Sequence, residues 1–304
     1  MGNTADNHTT DERLMSFGID HPLLAVNHLD HAAQAARDLG FNVNSRHRHP
    51  WGTDNHLLFF SNNFIELIGI GRPECLDYQD DNGFQFGRLI EARLITVGDG
   101  IAMVALDSDS IQRDHALVAA RGFSEACPII FRRMAHLPGG RNEEVSVALD
   151  MLHDPERPFL TQFLCQQLRP ELFRVDPTQE AHANTATSIA DVWYVSDDPA
   201  YDIEHFRRIH GDSSVRGSDT AWTIHTHKGD CHLLDRQTLS ATFPTLGDIE
   251  PEPPRAVALT LTCRDLDAAI ACWDSQGIDY HRHSETQADI ASGVLGTLLR
   301  FEQR

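Results

Sequence analysis

Gly18-Ile-Asp-His-Pro-Leu-Leu-Ala-Val26 through Asn63-Phe-Ile-Glu-Leu-Ile-Gly-Ile70 is the stretch on which the reading of the fold turns. Pro22 to Val26 is a short apolar run of the kind a buried strand presents, with His21 just ahead of it. Asp30 to Leu39 is alanine-rich, is built from good helix formers and stops at Gly40, a residue suited to the position after a helix. Phe41 to Val43, Leu57 to Phe60 and Phe64 to Ile70 supply three more strands, with the polar loop His49-Pro-Trp-Gly-Thr-Asp-Asn55 between the first two. The order is β-α-β-β-β. A histidine at its first strand and a carboxylate, Glu66, in its last form a pair that can hold a divalent metal.

The same order returns three times. Ile101 to Leu106 reads as a strand, Asp109 to Ala120 as a helix stopped at Gly122, and Glu144 to Leu149 and Phe159 to Leu164 as later strands. A third unit has Ile189 to Val195, a helix from Ala200 to Ile209 ended by Gly211, then Ala221 to Ile224 and Cys231 to Leu234. The fourth has Ala256 to Leu261, the helix Asp265 to Asp274 with Gly277, and the closing strand Gly296 to Phe301. An Asp-containing turn precedes each helix and is suited to N-capping. Leu168 to Ala186 divides units two and three, and Thr245 to Pro254 divides three and four. The expected organisation is a disordered leader over 1–16, one domain over 17–168 and a second over 169–304.

A chain of 304 residues fits two domains of about 150 residues each. With 41% hydrophobic residues it can build a core. No apolar run approaches the roughly 20 residues that cross a bilayer, so a soluble protein is expected. The leader has no basic start and no apolar centre, unlike a signal peptide. The formal charge of −20, from 45 acidic against 25 basic residues, repels phosphate backbones and anionic membranes and argues against nucleic acid. Six scattered cysteines without a C-x-x-C pair argue against a zinc cluster or disulfide framework and make a reducing cytoplasm the default. No G-x-S-x-G elbow, P-loop or Rossmann fingerprint is present.

Ile19 to Val26, the His49 to Asn55 loop and Phe64-Ile-Glu-Leu-Ile68 together resemble the vicinal oxygen chelate superfamily, within it the glyoxalase-like group of two-domain proteins. The loop is similar to that group's HP-x-GT-x-N segment. Pro158 to Phe163 resembles its second closing strand. His182-Ala-Asn-Thr-Ala186 resembles its HPNGA segment, with Ala183 for Pro and Thr185 for Gly. The resemblance implies an α+β fold of tandem βαβββ modules forming two cupped sheets of the glyoxalase and bleomycin-resistance type. It also implies His21 and Glu66 as metal ligands, with Ile101 and Gln162 at the corresponding second-module positions.

Each residue also has a plainer reading. His21 could cap a strand. Glu66 could point outward by alternation, whereas a buried, unpaired carboxylate would be too costly, so an inward Glu66 needs a partner or a cation. The loop could be an ordinary tight connection, or His49, Thr53 and Asn55 could line a pocket mouth and orient substrate. His182 and Asn184 could be surface residues of a connection, or pocket residues. His47 and His56 are expected to face solvent. His225, His227 and His232 read as a surface face.

The resemblance therefore implies a cytoplasmic metalloenzyme acting on a small oxygen-rich substrate through two neighbouring oxygens. The metal would be divalent Mn, Fe, Ni or Zn, and would stabilise an enolate or oxyanion. His21 and Glu66 would hold it, with Gln162 or His182 as a candidate third contact. Gln162 and Asn184 would contact substrate, and His182 would serve as acid–base group. Isomerase, lyase and hydrolase outcomes stay open, and a homodimer is compatible with the reading. One rival is a metal-free protein that sequesters small molecules in the same cup. Another is an extradiol dioxygenase with iron held on the later modules.

Overall fold

The computed structural model describes residues 17–80, 82–123, 127–136, 140, 142–174, 176–247, 249 and 253–304. The expected leader, 1–16, lies outside them. The first module is β1 (Ile19–Ala25), α1 (Leu29–Asp38), β2 (His47–Arg48), β3 (Thr53–Phe59) and β4 (Phe64–Ile70), and α2 (Phe86–Thr96) follows it. The second is β5 (Gly100–Asp107), α3 (Ile111–Ala120), β6 (Ile129–His136), β7 (Asn142–Leu152) and β8 (Gln162–Gln167). The third is β9 (Ala186–Val195), α4 (Pro199–His210), β10 (Val215–Ser218), β11 (Ala221–His225) and β12 (Asp230–Leu234), with α5 (Arg236–Thr242) after it. The fourth is β13 (Arg255–Cys263), α6 (Leu266–Gln276), β14 (Tyr280–Arg282), β15 (Gln287–Ile290) and β16 (Leu298–Gln303).

Two eight-stranded sheets result, ordered β2-β3-β4-β1-β5-β8-β7-β6 and β10-β11-β12-β9-β13-β16-β15-β14. Within each module the first strand pairs in parallel with the last. Two modules join where their first strands run antiparallel, β1 with β5 and β9 with β13. The expected α+β fold with two cupped sheets is the one observed.

Strand alternation divides the apolar residues between two faces. Leu24, Val26, Leu58, Ile65 and Leu67 face the helices and share one core with Ile189, Val192, Tyr194, Leu259 and Phe301 of the second sheet. The seam between the sheets is also polar at one point: the Asn63 amide donates to the Ile189 carbonyl and accepts from the Ile189 N–H. On the opposite face of the first sheet, Leu23, Ala25, Ile68, Ala105 and Phe163 pack against α2. On that of the second, Val195, Leu234, Ala258 and Leu298 pack against Leu239 of α5 and Phe243 beyond it. Both helices fall outside the repeating module order, so that order gave no expectation of them.

Several expected elements differ. Phe41 to Val43 forms no strand, because the Asn42 N–H donates to His182 Nδ1 instead of to a ladder partner. Phe159 and Leu160 lie in a single helical turn, and their strand begins only at Gln162. Asp198 and Asp265 cap their helices as expected, whereas α1 and α3 have no side-chain cap. Asp107 instead accepts from the Gly18 N–H and pairs with Lys228, the only lysine of the chain, from the β11–β12 hairpin.

Candidate active site in the first cup

Each first strand carries a bulge at the same place. Ile19 faces Leu106 and His21 faces Ala105, leaving Asp20 as the extra residue. The equivalent bulge residues of the other first strands are Ala102, Ala190 and Val257, and β9 carries a further irregularity at Thr187. A bulge re-aims the neighbouring side chains. Here it puts the Asp20 carboxylate beside the imidazole that follows, and His21 Nδ1–H donates to Asp20 Oδ2 at 2.8 Å. Of the four bulges at this equivalent position, the one at Asp20 alone carries a carboxylate.

His21, Leu23 and Ala25 face the cup, as do Phe64, Glu66 and Ile68 of β4, because Glu66 pairs with Leu23 across the parallel ladder. His21 Nε2 lies 3.5 Å from Glu66 Oε2, and both side chains are buried. His49 approaches the other carboxylate oxygen, its Nε2 3.9 Å from Oε1. Asn55 donates to Glu66 Oε1 at 2.8 Å and lies 3.3 Å from His49 Nε2. A carboxylate only accepts, so the amide nitrogen must face it. His49 Nε2 then accepts from the same NH2 group, and its Nδ1–H donates to Thr53 Oγ1 at 2.9 Å. The local chain is built for this. Gly52 has φ +88°, and a Cβ there would stand 2.6 Å from the Arg72 carbonyl. The Gly52 carbonyl also accepts from the Gly71 and Arg72 N–H groups.

Burial works to lower the His21 pKa, but the Asp20 and Glu66 carboxylates outweigh it and raise the imidazole above its ordinary value. Burial likewise pushes Glu66 up, and His21, His49 and Asn55 more than reverse this, holding it below the usual carboxylate range. The site therefore favours positive charge between Glu66 and His21. Two imidazole Nε2 atoms and a carboxylate form a donor set suited to a divalent transition metal. Asp20 and Thr53 orient the two rings from behind, as partners of metal-bound histidines commonly do. Among the described residues, no three His, Cys, Asp or Glu side chains are already gathered as a ready-made cation site.

These side chains line a half-open cleft of about 90 Å³ whose other walls are mainly aromatic, with Trp51, Phe64, Phe86, Phe131, Phe163 and Phe173. Phe64 stacks on His21 at 4.1 Å between ring centres, and Trp51 on His49 at 4.9 Å.

The structure brings together His21, Glu66, His49, Thr53 and Asn55, and sends three other expected site residues elsewhere. In the second module the register that places Ala105 opposite His21 and Met103 opposite Leu23 makes Met103 the counterpart of His21. Phe163, paired with Ala105, is the counterpart of Glu66. Ile101 and Gln162 are thus not the matching positions. Gln162 lies one residue off, which in a strand means the opposite face. It sits in the seam, its Oε1 accepting from His210 Nε2 and its amide reaching towards the Tyr194 hydroxyl.

His182 accepts from the Asn42 N–H at Nδ1 and donates from Nε2 to the Phe59 carbonyl, so backbone groups use both nitrogens. Burial also lowers its pKa. It is a seam residue, away from the cup. Asn184 is fully buried and spans the Leu39 carbonyl and the Ala186 N–H. His56, expected in solvent, is 6% exposed and bonded to the Asn44 carbonyl. Sequence reading missed Asp20. An acidic residue directly before the candidate ligand was the available signal.

In the second sheet the equivalent positions hold Asp191, His232, Ala258 and Arg300. His232 is not on a surface face: it stacks on Trp193 at 3.9 Å and lies 3.2 Å from Asp191. Arg300 makes a two-point ion pair with Asp289. An iron centre on these modules would find a guanidinium where its carboxylate ligand belongs.

A model of the glyoxalase-like domain family matches residues 19–209. Among curated proteins no match was found. A hypothetical protein from Staphylococcus aureus is similar in structure, with TM-score 0.66 and 15% identity over 95% of this chain and 100% of that one. A mutant 4-hydroxymandelate synthase from Streptomyces coelicolor is also similar, with TM-score 0.58 and 11% identity over 95% of this chain and 93% of that one. A xylose isomerase-like TIM barrel/4-hydroxyphenylpyruvate dioxygenase fusion protein gives TM-score 0.58 and 13% identity, covering 95% of this chain and 49% of that one. With the βαβββ modules and the HP-W-GT-D-N loop, the match to the family model leads to one conclusion: the chain belongs to the glyoxalase-like domain family of the vicinal oxygen chelate superfamily.

Proposed function

We propose that the first cup is the active site of a divalent-metal-dependent enzyme acting on a small organic substrate through neighbouring oxygens. The observation that carries this is the placement of His21 Nε2 3.5 Å from Glu66 on one face of the sheet, with Asp20 held behind the imidazole by the bulge. His21 and Glu66 would hold the cation, and His49 would be the third ligand or the acid–base group. When bound, such a cation supplies Lewis acidity that stabilises an enolate or oxyanion.

The chain's own groups do the rest. Asp20 fixes the His21 tautomer so that Nε2 presents its lone pair to the cup. Asn55 fixes the rotamer of Glu66 by donating to Oε1. Thr53 orients His49, whose Nε2 faces the cleft beside Glu66. The aromatic walls exclude water from the space above Glu66 and so strengthen each electrostatic interaction there. Proton transfer to or from substrate at His49 Nε2 is compatible with isomerase, lyase and hydrolase outcomes. We place the protein in the cytoplasm, since the six cysteines are all free thiols.

A second reading, a metal-free binding protein, is favoured by Met103 and Phe163, which replace the second histidine and carboxylate. The deciding experiment is elemental analysis and calorimetric titration of Mn, Ni and Zn into protein purified without a histidine tag. Stoichiometric binding that disappears in Glu66→Ala supports the enzyme. Failure of every cation to bind the folded protein supports the binding-protein reading.

A further inference from the structure

We infer that the first cup takes an aryl compound whose oxygens are confined to one end. This rests on the proposed function for the polar end alone. The cup has a polar floor and an aromatic upper wall. His21, His49, Asn55 and Glu66 form the floor. Around them, Phe163 meets His21 edge-on at 5.8 Å, and Phe131 meets His49 edge-on at 5.7 Å. Phe131 and Phe86 flank Trp51 at 5.0 and 4.7 Å, and Phe173 closes on Phe64 at 5.4 Å.

Ring faces and edges set at these distances offer a planar aromatic body the offset and edge-to-face geometries that such rings prefer. Apart from the Trp51 indole N–H, which is buried without a partner, the Cys165 thiol and the Gln167 amide, they offer a hydroxyl or phosphate nothing. No arginine or lysine is among the described residues that line the cleft, and Gln167 is the one amide beyond the floor. A sugar or phosphate tail placed there would lose its hydration without gaining partners. The expectation of an oxygen-rich substrate is thereby narrowed: oxygens at the floor, carbon above it.

Three ketones that share one α-hydroxyketone head and differ in the tail test this. They are 2-hydroxyacetophenone, hydroxyacetone and dihydroxyacetone phosphate, titrated calorimetrically into the full chain with and without added Mn. The phenyl ketone is expected to bind at least about tenfold tighter than hydroxyacetone, and the phosphate not measurably. Phe131→Ala, at a half-buried wall position, should shrink the phenyl preference to within about threefold while the protein stays folded by circular dichroism. Equal binding of the two neutral ketones, tighter binding of the phosphate, or binding of neither ketone overturns the aryl inference and leaves the metal reading standing. A phenyl preference in protein that takes up no cation supports the aryl inference and removes the metal reading.

Discussion

The two cups are built on one plan and finished differently. In each of the four first strands the position eight residues before the helix faces a cup, and it holds His21, Met103, Asp191 and Ala258 in turn. The closing-strand partners are Glu66, Phe163, His232 and Arg300. The second cup contains as many ionisable groups as the first, yet each is satisfied internally. Asp191 pairs with His232, Asp289 with Arg300 and His283, and Phe243 lies under the Arg300 guanidinium at 4.0 Å. The first cup leaves a cleft over a carboxylate flanked by two imidazoles. What separates a candidate site from a closed core is therefore the open space over the paired charges, more than the residue types at matching positions.

The largest test of that contrast is Glu66→Ala. It should abolish cation binding by calorimetry with little loss of secondary structure, and an unfolded variant would mark Glu66 as a structural residue of a second closed core. Next in size, Phe243→Ala in the filled cup should cost about 3–5 kcal/mol in chemical denaturation. Phe131→Ala in the open cup should cost under about 1 kcal/mol. Comparable costs would mean that both cups are packed alike.

The seam supplies a pH dependence. Burial drives His205 and His210 from an ordinary 6.5 to about 3. The folded chain keeps these rings neutral, while the unfolded chain protonates them below about 6.5. Their contribution is therefore intact above about 6.5 and is lost as pH falls from there towards 3. Melting temperatures measured from pH 7.5 down to 4 should fall, and His205→Phe should flatten the slope. A flat wild-type profile would remove these rings from the balance that holds the sheets together.

Asp20→Asn, which keeps the size but weakens the hold on His21, should lower cation affinity about 10–100-fold. An unchanged affinity would show that the first cup does not need its bulge carboxylate. Smallest of all, His232→Ala in the second cup should leave cation affinity where it was. A drop would mean that the second cup takes part.

Much of the arrangement was legible in the chain. Four recurrences of strand, helix and glycine stop gave the modules, and alternation around Glu66 left only two faces for it to choose between. The loop His49 to Asn55 was readable as a pocket rim, because Gly52 and the side-chain donors around it sit in one short segment. Gln162 was misassigned because strand parity says which residues share a face but not which face meets the cup, and a slip of one residue reverses the answer. His182 looked like an acid–base group because its neighbours give no hint that two distant backbone groups, at Asn42 and Phe59, claim both of its nitrogens.

By itself the sequence determined the module grammar and the acidic composition, and offered His21 and Glu66 as a candidate pair, since these depend on short-range periodicity and residue types. Tertiary structure alone decided which cup stays open. The fillers α2 and α5, the aromatic wall contributed by β6 and β8, and the seam contacts of Gln162 and His182 all join residues far apart along the chain. Their placement follows from how the modules pair, which no local pattern encodes.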